Sequence, residues 1–321
     1  MFENLFSKSG LTLDRMRSFM QMAQAGSIAK AAPEDTNRQS QISRQIRELE
    51  QFFGAQLTRR RGKTLSLSPA GERLATLIRE QLQDLEDFRL EQAGQAKAFS
   101  IGTGASVLEW LVMPALPEIA KVLGGATLSV GPYRSRNLAE AVTDGRVDFA
   151  VIRQDALAPN ARAERLLKLG FVLCIPRHFL KPGVSEREAS LPRIWQTLPF
   201  AAGRDGGQLD QALRQAMAEA GVDFQPQFEC GSMLQVRQLV EMGACAAVLP
   251  KIGVHGLDES QVLQTPFSPL KDYGRGLVLH WNERQMRRRG VDQSHIRAIV
   301  KLLRDSGRSP TENGTRAATA V

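Results

Sequence analysis

Side chains that can hydrogen-bond to nucleic-acid bases or phosphates are concentrated in one segment near the amino terminus. Between residues 39 and 47, amide, hydroxyl and guanidinium groups share one arc of a predicted helix, and the acids stand outside it. The residues of this arc are Gln39, Ser40, Ser43, Arg44 and Arg47. Gln and Arg can form paired hydrogen bonds with base edges, and hydroxyl groups can reach phosphates. The arc favours a DNA-reading helix, with an ordinary solvated helix face as the alternative.

A cationic cluster follows this helix. Residues 57–68 read LTRRRGKTLSLS, which predicts two short strands around Gly62. The predicted hairpin carries Arg59, Arg60, Arg61 and Lys63. Such a cluster suits phosphates or a minor groove beside a reading helix. Residues 1–68 contain eleven Lys and Arg against six acids, so they hold +5 of the net charge of +8.

Three predicted helices position these side chains. Apolar residues recur every three or four positions over residues 13–23, which predicts an amphipathic first helix. Ser27 is the expected N-cap of a short second helix over residues 28–35. The third helix is expected to begin at Thr36 or Asn37 and to bury one apolar stripe. That stripe consists of Ile42, Ile46, Leu49 and Phe53. Two helices joined by a short turn and followed by a hairpin predict a winged helix-turn-helix.

A long helix is predicted after the hairpin. Ser68 is its expected N-cap and Pro69 its first residue, and no further proline occurs up to residue 96. A seven-residue seam runs along this helix through Leu74, Ile78, Leu85 and Phe88. A seam of that length needs a second helix, which predicts a homodimer. Packing of the seam against its own chain is the alternative.

Beyond Gly94, predicted strands alternate with predicted helices. The strands are expected at residues 99–103, 127–130, 149–152, 171–175, 200–202, 224–229, 246–249 and 277–281. The helices are expected from about residue 107 and at residues 138–144, 209–220, 233–242 and 295–304. This alternation predicts an α/β fold, and 321 residues exceed what one core usually organises. We interpret the basic run at residues 284–289 as a solvated face, with a second DNA contact as the alternative, and residues 306–321 as disordered.

Motifs for catalysis and metal binding are missing. Gly102 and Gly104 begin a dinucleotide-binding pattern, but its third glycine is replaced by Val107. The four histidines show no metal-ligand spacing. The sequence therefore predicts no enzyme activity, no catalytic residue, no cofactor and no metal.

The cysteines and the apolar segments indicate the compartment. The three cysteines form no CxxC pair, and neither a signal peptide nor a membrane span is visible, which predicts a cytoplasmic protein without a membrane partner. Cys230 precedes a predicted helix, so a redox-sensing thiol is one hypothesis. A buried small apolar residue is the preferred interpretation.

Residues 25–71 resemble the DNA-binding end of the LysR-type transcriptional regulators. The matching residues are Ala25-Gly26-Ser27, Ala31-Ala32, Gln39, Ile42-Ser43-Arg44-Gln45-Ile46, Leu49-Glu50, Phe53-Gly54, Leu57, Arg60, Leu67 and Pro69-Ala70-Gly71. The resemblance implies three parts: a winged helix-turn-helix over residues 11–68, a dimerising linker helix over 69–96, and a two-lobed, periplasmic-binding-protein-like α/β effector domain over 99–305. Lobe 1 would comprise residues 99–171 and 275–305, and lobe 2 residues 172–274.

The resemblance assigns DNA contact to Gln39, Ser43, Arg44 and the arginines at 59 to 61. The sequence departs from the family pattern at Asp35, Asn37, Arg38 and Ser40, where members usually carry an apolar residue, a small β-branched residue, serine and proline. Pro33 falls within the predicted second helix, so we expect a rebuilt turn. Arg38 adds a guanidinium group at the start of the reading helix and is predicted to change the preferred DNA sequence.

The resemblance also implies an effector cleft between the two lobes. Its walls are expected where strands end and helices begin, because free backbone amides there can bind an anion. The expected effector contacts are Thr103, Ser106, Arg134, Ser135, Gly203, Arg204 and Ser232. An arginine beside hydroxyl groups suits a carboxylate or phosphate. Ordinary caps and turns are the alternative, as is a surface pair of Arg204 with Asp205 or Asp210.

The implied function is transcriptional regulation. A dimer would bind double-stranded DNA and respond to a small anionic effector between its lobes. The resemblance is compatible with a tetramer, and with RNA polymerase as a partner if the protein is an activator. A solute-binding protein and a metabolic α/β enzyme are the alternatives, which the missing signal peptide and the missing motifs disfavour.

Overall fold

Side-chain caps fix where two of the amino-terminal helices begin. The computed structural model describes residues 2–6, 9–61, 64–133, 135–204, 208–273 and 276–308. The Ser27 hydroxyl accepts a hydrogen bond from Lys30 N at 3.2 Å, and the Ser68 hydroxyl accepts one from Gly71 N at 3.0 Å. Each cap satisfies an amide that has no partner inside its helix. Both predicted caps are confirmed.

The first unit of the chain comprises Met1–Gln95 with Asp144–Arg146. Its described helices and strands are α1 (Glu3–Phe6), α2 (Leu13–Ala25), α3 (Ile28–Ala31), α4 (Thr36–Phe53), β1 (Thr58–Arg61), β2 (Thr64–Leu67) and α5 (Pro69–Gln92). Phe19 and Met22 of α2, Ile42 and Leu49 of α4 and Ile78 of α5 are buried in one apolar core. Burying a side chain of this size contributes about 1.5–3 kcal/mol, so this core fixes the packing of the three helices.

The start and the apolar stripe of α4 differ from the prediction. Asp35, rather than Thr36 or Asn37, is the N-cap, and its carboxylate accepts a hydrogen bond from the third amide of the helix at 2.8 Å. A carboxylate is favoured at this end of a helix because the helix dipole is positive there. Phe52 is buried, whereas the predicted Phe53 is 39% exposed. The backbone segment that precedes α2 packs against Phe52, a contact that helical periodicity does not contain.

Two predicted helix ends are also wrong. Helix α3 ends at Ala31 instead of residue 35, because Pro33 disfavours a helical backbone in the residue before it. Helix α5 ends at Gln92 instead of residue 96. Gly94, with a φ of 64°, adopts the left-handed conformation that commonly ends a helix.

The second unit comprises Ala96–Thr143 with Val147–Val321. Its described strands are β3 (Ala98–Thr103), β4 (Thr127–Pro132), β5 (Phe149–Arg153), β6 (Ala163–Lys168), β7 (Phe171–Pro176), β8 (Ala201–Gly203), β9 (Phe228–Cys230), β10 (Ala247–Pro250), β11 (Val262–Pro266) and β12 (Gly276–Trp281). Its described helices are α6 (Ala105–Val107), α7 (Met113–Val122), α8 (Ser135–Thr143), α9 (Glu186–Ala189), α10 (Pro192–Trp195), α11 (Gln208–Glu219), α12 (Met233–Glu241), α13 (Glu283–Arg288) and α14 (Gln293–Ser306). A π-helical turn, Leu108–Val112, joins α6 to α7. In the ranges that the structure describes, no helix is both long and apolar enough to cross a membrane.

Two groups of strands form the sheets of this unit. The first sheet has the order β4-β3-β5-β12-β6, with β3 parallel to both neighbours and β12 antiparallel to both of its own. The second group contains the antiparallel sheet β10-β7-β11 and the parallel pair β8-β9, which an isolated bridge between Phe200 and Ala246 connects to β10. Because β12 follows β11 in the chain but pairs with β5 and β6, the backbone crosses between the groups twice.

Strand β9 lies further along the chain than predicted. The alternation pointed to residues 224–229, whereas the strand is Phe228–Cys230. Pro226 lies in the predicted segment, and a proline has no amide to donate to a neighbouring strand. The shift places the end of β9 immediately before the turn that leads into α12.

The basic run at residues 284–289 is only partly a solvated face. Arg287 is 74% exposed and pairs with Glu283 at 2.8 Å. Arg289 is 3% exposed and forms an ion pair with Asp148 at 2.6 Å. Its guanidinium carbon also lies 4.1 Å from the centre of the Phe99 ring. The interpretation was wrong for Arg289, because this side chain crosses from the end of α13 to the start of β5.

Candidate nucleic-acid interface and effector cavity

The exposed face of α4 carries part of the predicted DNA-contacting set. Ser40, Arg44 and Arg47 are exposed, and Ser43 is half-buried. Arg44 lies 3.5 Å from Glu48 and is 74% exposed, and Arg47 donates a 3.4 Å hydrogen bond to the Ser43 carbonyl. These weak contacts lie along the helix itself, so they leave both guanidinium groups free to meet another molecule.

Arg38 and Gln39 instead contact the neighbouring helices of the same unit. The Arg38 guanidinium donates to Gln41 Oε1 and to Gln21 Oε1, both at 2.8 Å, and approaches the buried Ser18 hydroxyl at 3.4 Å. The Gln39 amide donates to the Ala32 carbonyl at 2.7 Å. Arg38 therefore joins α4 to α2, and Gln39 joins α4 to the turn after α3.

Glutamates at the carboxyl-terminal half of α4 organise its surroundings. Glu48 Oε2 accepts a 2.6 Å bond from Arg15 Nε of α2. Glu50 Oε1 accepts hydrogen bonds from the backbone amides of Leu57 and Thr58, at 2.8 and 3.0 Å, and from the Thr58 hydroxyl at 3.1 Å. Sequence reasoning placed these acids only outside the polar arc. Glu50 in fact positions the start of the hairpin relative to α4.

The two strands of the predicted hairpin are present. Strands β1 and β2 pair antiparallel, with Thr58 opposite Leu67 and Arg61 opposite Thr64. The Arg59 side chain is exposed. The side chains of Arg60 and Arg61 and the whole of Lys63 lie outside the described residues, so their predicted roles stay predictions.

A cavity of about 170 Å³ lies at the carboxyl ends of the parallel strands β8 and β9. Helix α11 begins after β8 and helix α12 after β9, so two helix amino termini adjoin it. Its walls are formed by Ala201, Ala202, Gly203, Leu209, Asp210, Leu213, Cys230, Gly231, Ser232, Met233 and Val248. The ends of neighbouring parallel strands are where α/β folds commonly bind small molecules.

Two of the seven predicted effector contacts line this cavity. Gly203 ends β8, and Ser232 is the N-cap of α12, where its hydroxyl accepts from Gln235 N at 3.4 Å. Arg204 follows Gly203 and is exposed. The predicted alternative pair between Arg204 and Asp210 is not what the structure contains, because Asp210 Oδ2 lies 3.1 Å from Arg214 Nε instead.

The other predicted effector contacts do not line this cavity or are not described. Thr103 is completely buried and donates its hydroxyl to the Val151 carbonyl at 2.7 Å, so it connects β3 to β5. Ser106 is half-buried in α6, after β3. Arg134, the side chain of Ser135 and Asp205 lie outside the described residues.

Asp210 is the cavity residue that sequence reasoning missed as an effector contact. It lies in the first turn of α11, and its side chain is 10% exposed. Its Oδ2 atom faces Arg214, while its Oδ1 atom is buried and has no hydrogen-bond partner. An acid in the first turn of a predicted helix is too common to indicate a site, and only its burial marks it.

The three cysteines share one apolar cluster in the second unit. All are reduced and buried, and Cys230 also lines the cavity. Burial raises the pKa of the Cys174 and Cys245 thiols to about 12, and it raises the pKa of the Cys230 thiol as well. A redox-sensing role relied on a lowered pKa at a helix amino terminus. The direction of the shift supports the buried apolar interpretation.

Metal ligands do not cluster in the described parts of the chain. Within those ranges, no group of three or more His, Cys, Asp or Glu side chains could hold a metal ion.

Comparisons with known proteins agree with these two regions. Residues 92–307 match the model for the LysR substrate binding domain. Residues 13–72 match the model for the bacterial regulatory helix-turn-helix protein, lysR family. The transcriptional regulator DgdR of Burkholderia cepacia is 25% identical over 300 residues, which cover 91% of this chain and 96% of DgdR. A probable nitrogen assimilation transcriptional activator of Synechococcus elongatus is 24% identical over 249 residues, covering 75% of this chain and 79% of the activator.

Solved structures share the fold. A full-length OxyR variant from Pseudomonas aeruginosa has a TM-score of 0.60 at 20% identity and covers 92% of this chain and 96% of its own. CbnR, a LysR family transcriptional regulator, has a TM-score of 0.54 at 16% identity and covers 93% and 100%. At these identities the likeness concerns the fold, an amino-terminal helix-turn-helix followed by a two-lobed α/β domain. Since the family models match both units of this protein, it belongs to the LysR family of transcriptional regulators.

Proposed function

We propose that this protein regulates transcription as a dimer that binds a specific DNA sequence through α4 and the β1-β2 hairpin. A small effector bound between the two lobes controls that activity, and we place it at the cavity that α11 and α12 border in the predicted lobe 2. The observation that carries the DNA-binding part is the exposure of Ser40, Arg44 and Arg47 on one face of α4. These residues present hydroxyl and guanidinium groups, which are the groups that contact bases and phosphates.

The proposed interface divides its residues by role. Ser40, Ser43, Arg44 and Arg47 contact bases and phosphates from α4, whereas Arg59, Arg60, Arg61 and Lys63 neutralise phosphates from the hairpin. Arg38 and Gln39 act mainly by holding α4 at its angle to α2 and α3. The rebuilt turn around Pro33 thus changes DNA preference through the position of α4.

Helix α5 is the proposed dimer contact. Its first half packs on its own chain, because Ala75 and Ile78 are buried in the core of the first unit and Leu74 packs against it. The predicted seam is therefore wrong at Leu74 and Ile78. Leu77, Leu85 and Phe88 are 54%, 59% and 62% exposed, and at 100° per residue they lie within about 80° of one another. A second copy of α5 would bury this stripe. Sedimentation of the purified protein distinguishes the dimer from a tetramer, and a monomer would contradict the proposal.

The remaining parts of the proposal follow from action on DNA. The protein is proposed to act in the cytoplasm and to carry no catalytic activity of its own. RNA polymerase is a partner if the protein activates transcription. An effector with a carboxylate or phosphate stays in the proposal. Ser232 would meet it at the cavity wall, and Ser106, Arg134, Ser135 and Arg204 would meet any part of it that extends out of the cavity.

A footprint on the DNA upstream of the protein's own gene tests the DNA-binding part. The assay uses the full chain, excess random-sequence DNA and near-physiological salt. The wild type is expected to protect one or two patches with dyad symmetry. Arg44→Ala is expected to weaken protection by about 1–3 kcal/mol, roughly 5- to 150-fold.

The chain offers a matched control for that variant. Arg287 is also 74% exposed and also pairs with a glutamate four positions away, but it lies on α13. Arg287→Ala removes the same charge and is expected to leave protection unchanged. Uniform, weak binding that moderate salt abolishes would contradict the proposal and would reduce the basic amino terminus to a nonspecific electrostatic surface.

A further inference from the structure

The carboxylate of Asp210 is an incomplete polar group at the wall of the cavity. Its side chain is nine-tenths buried, and one oxygen has no hydrogen-bond partner. The other oxygen is held by Arg214 at 3.1 Å, and Arg214 in turn reaches Glu229 at 3.1 Å. A buried acceptor without a hydrogen-bond partner is unfavourable. A ligand that donates to it therefore gains more binding free energy than it would from a bond to a water-exposed acceptor.

The unpartnered oxygen can be presented to the cavity by a small movement. Rotation about the Cβ–Cγ bond of aspartate is broad, so the carboxylate can turn while the backbone of α11 stays in place. The Arg214 side chain is 40% exposed and can follow Oδ2. Asp210 already lines the cavity together with Gly203, Cys230 and Ser232. The group that such a turn would meet is a hydrogen-bond donor of the bound molecule.

The other walls define the rest of that molecule. Leu209, Leu213, Met233 and Val248 are apolar, and the volume of about 170 Å³ is close to the ~150 Å³ of a cavity that holds benzene. A ligand of roughly six to eight non-hydrogen atoms with a compact apolar body fits this space. At the side of α12, the first backbone amides and the Ser232 hydroxyl can additionally meet a carboxylate.

We propose that the effector cavity binds a small primary ammonium compound with a short apolar body, and that its ammonium group donates to Asp210. This inference rests on the proposed function, because it names the ligand class of the same cavity. A carboxylate on the ligand is compatible with it at the α12 end. A ligand with a carboxylate but no ammonium group would face the Asp210 carboxylate instead and would be repelled.

Three matched compounds test the proposal on the full chain. L-valine carries both groups, 2-methylpropylamine lacks the carboxylate, and 3-methylbutanoate lacks the amine. Thermal unfolding and calorimetric titration are expected to show binding of one or both amines and none of 3-methylbutanoate. Comparison of valine with the amine decides whether the α12 end contributes. Binding of the acid alone, or of no amine, would overturn the proposal.

Asp210→Asn removes the charge at nearly constant volume and is expected to weaken amine binding tenfold or more. Glu229→Gln is the matched control, because it removes the other carboxylate of Arg214 without altering a cavity wall, and it is expected to bind like the wild type. Unchanged amine affinity in Asp210→Asn would overturn the assignment. The preference of the wild type among the three compounds tests it even if that variant folds poorly.

The outcomes separate this inference from the proposed function. The footprint does not depend on the cavity. If the protein protects its operator but binds only 3-methylbutanoate, the proposed function stands and the proposed ammonium ligand is wrong. A protein that binds amines through Asp210 but protects no DNA loses the DNA-binding proposal and keeps the cavity.

Discussion

Helix α4 and the second unit of the chain, here called the effector unit, differ in where their charged side chains lie. Arg44 is exposed on α4 and lies 3.5 Å from its nearest carboxylate. Arg289 and Asp148 are buried, and the distance of their ion pair is 2.6 Å. An exposed ion pair contributes about 0–1 kcal/mol to folding. A buried charge without its partner costs several kcal/mol. The difference indicates that the charges of α4 are left free for DNA, while those at Asp148 hold the effector unit together.

The partners of Asp148 show how completely the buried charge is satisfied. Oδ2 accepts from the amide and the hydroxyl of Ser100, at 2.8 and 2.9 Å. Oδ1 accepts from Gln285 at 2.9 Å in addition to Arg289. Asp210 differs, because only one of its oxygens has a partner. This contrast separates a carboxylate that stabilises the fold from one that can receive a ligand.

The largest effect expected from this comparison is on stability. Arg289→Ala should lower the free energy of unfolding of the effector unit by about 3–5 kcal/mol, because Asp148 stays buried without its cation. The three tryptophans of the chain, Trp110, Trp195 and Trp281, all belong to this unit, so their fluorescence in urea follows its unfolding alone. Arg287→Ala, the exposed counterpart, should change the same quantity by less than ~0.5 kcal/mol. Similar small losses in both variants would remove the distinction between buried and exposed charges.

A smaller effect is expected for Arg38, whose exposure lies between that of Arg44 and that of Arg289. Arg38 is half-buried, and it should resemble a structural residue more than Arg44 does. Arg38→Ala is expected to lower the free energy of unfolding of the first unit by about 1 kcal/mol, through the lost hydrogen bonds between α4 and α2, and to weaken DNA binding as well. Arg44→Ala should weaken only DNA binding. Helix content measured during urea unfolding, with a footprint on the same samples, tests both.

One result would show that Arg38 contacts DNA instead of positioning α4. If Arg38→Ala weakens DNA binding and relaxes base preference while stability stays at the wild-type value, then Arg38 leaves α2 and contacts DNA directly. That outcome would support the prediction made from the sequence over the positioning role indicated by Gln21 and Gln41.

The smallest expected effect concerns the three cysteine thiols, which, unlike Asp148 and Arg289, are buried in a neutral form. Burial raises the pKa of Cys174 and Cys245 from 9 to about 12, so both stay protonated at pH 8. A thiol reagent at pH 8 should label the native protein slowly, first at the cavity residue Cys230, and should label all three thiols in urea. Rapid labelling of the native protein would show that the cluster opens readily.

The sign of the pH effect follows from the same shifts. A folded-state pKa above the unfolded one means that the stabilisation is fully present below about pH 9 and is lost as the pH rises towards 12. Urea midpoints measured across that range by tryptophan fluorescence should therefore fall.

Much of the first unit was predictable because its determinants are local. The caps at Ser27 and Ser68, the hairpin around Gly62 and the exposed guanidinium groups of α4 all depend on residues within a few positions of one another. The wrong predictions concern single positions, but their causes lie elsewhere in the chain. Phe52 replaced Phe53 in the stripe because the segment before α2 packs on it, and helical periodicity contains no such segment.

The effector unit was predictable only in outline. Alternating strands and helices predicted its α/β class and the segments at Gly203 and Ser232, since backbone pattern and turn residues decide these. Neither the burial of Arg289 nor that of Asp210 has a signal in the neighbouring sequence. In composition alone, Arg289 is one more member of a basic run, and Asp210 is one more acid near a helix start.

The class of the fold, the order of its parts and the polar, cationic face of α4 could be predicted from the sequence, because helical period, capping and charge are properties of short segments. Which charges are buried depends on the tertiary structure. Arg289 and Asp148 are 141 positions apart, and they are buried together only because the fold brings the residue after α13 to the residue before β5. The cavity likewise exists only where β8 and β9 pair, because its walls come from segments that lie apart in the chain.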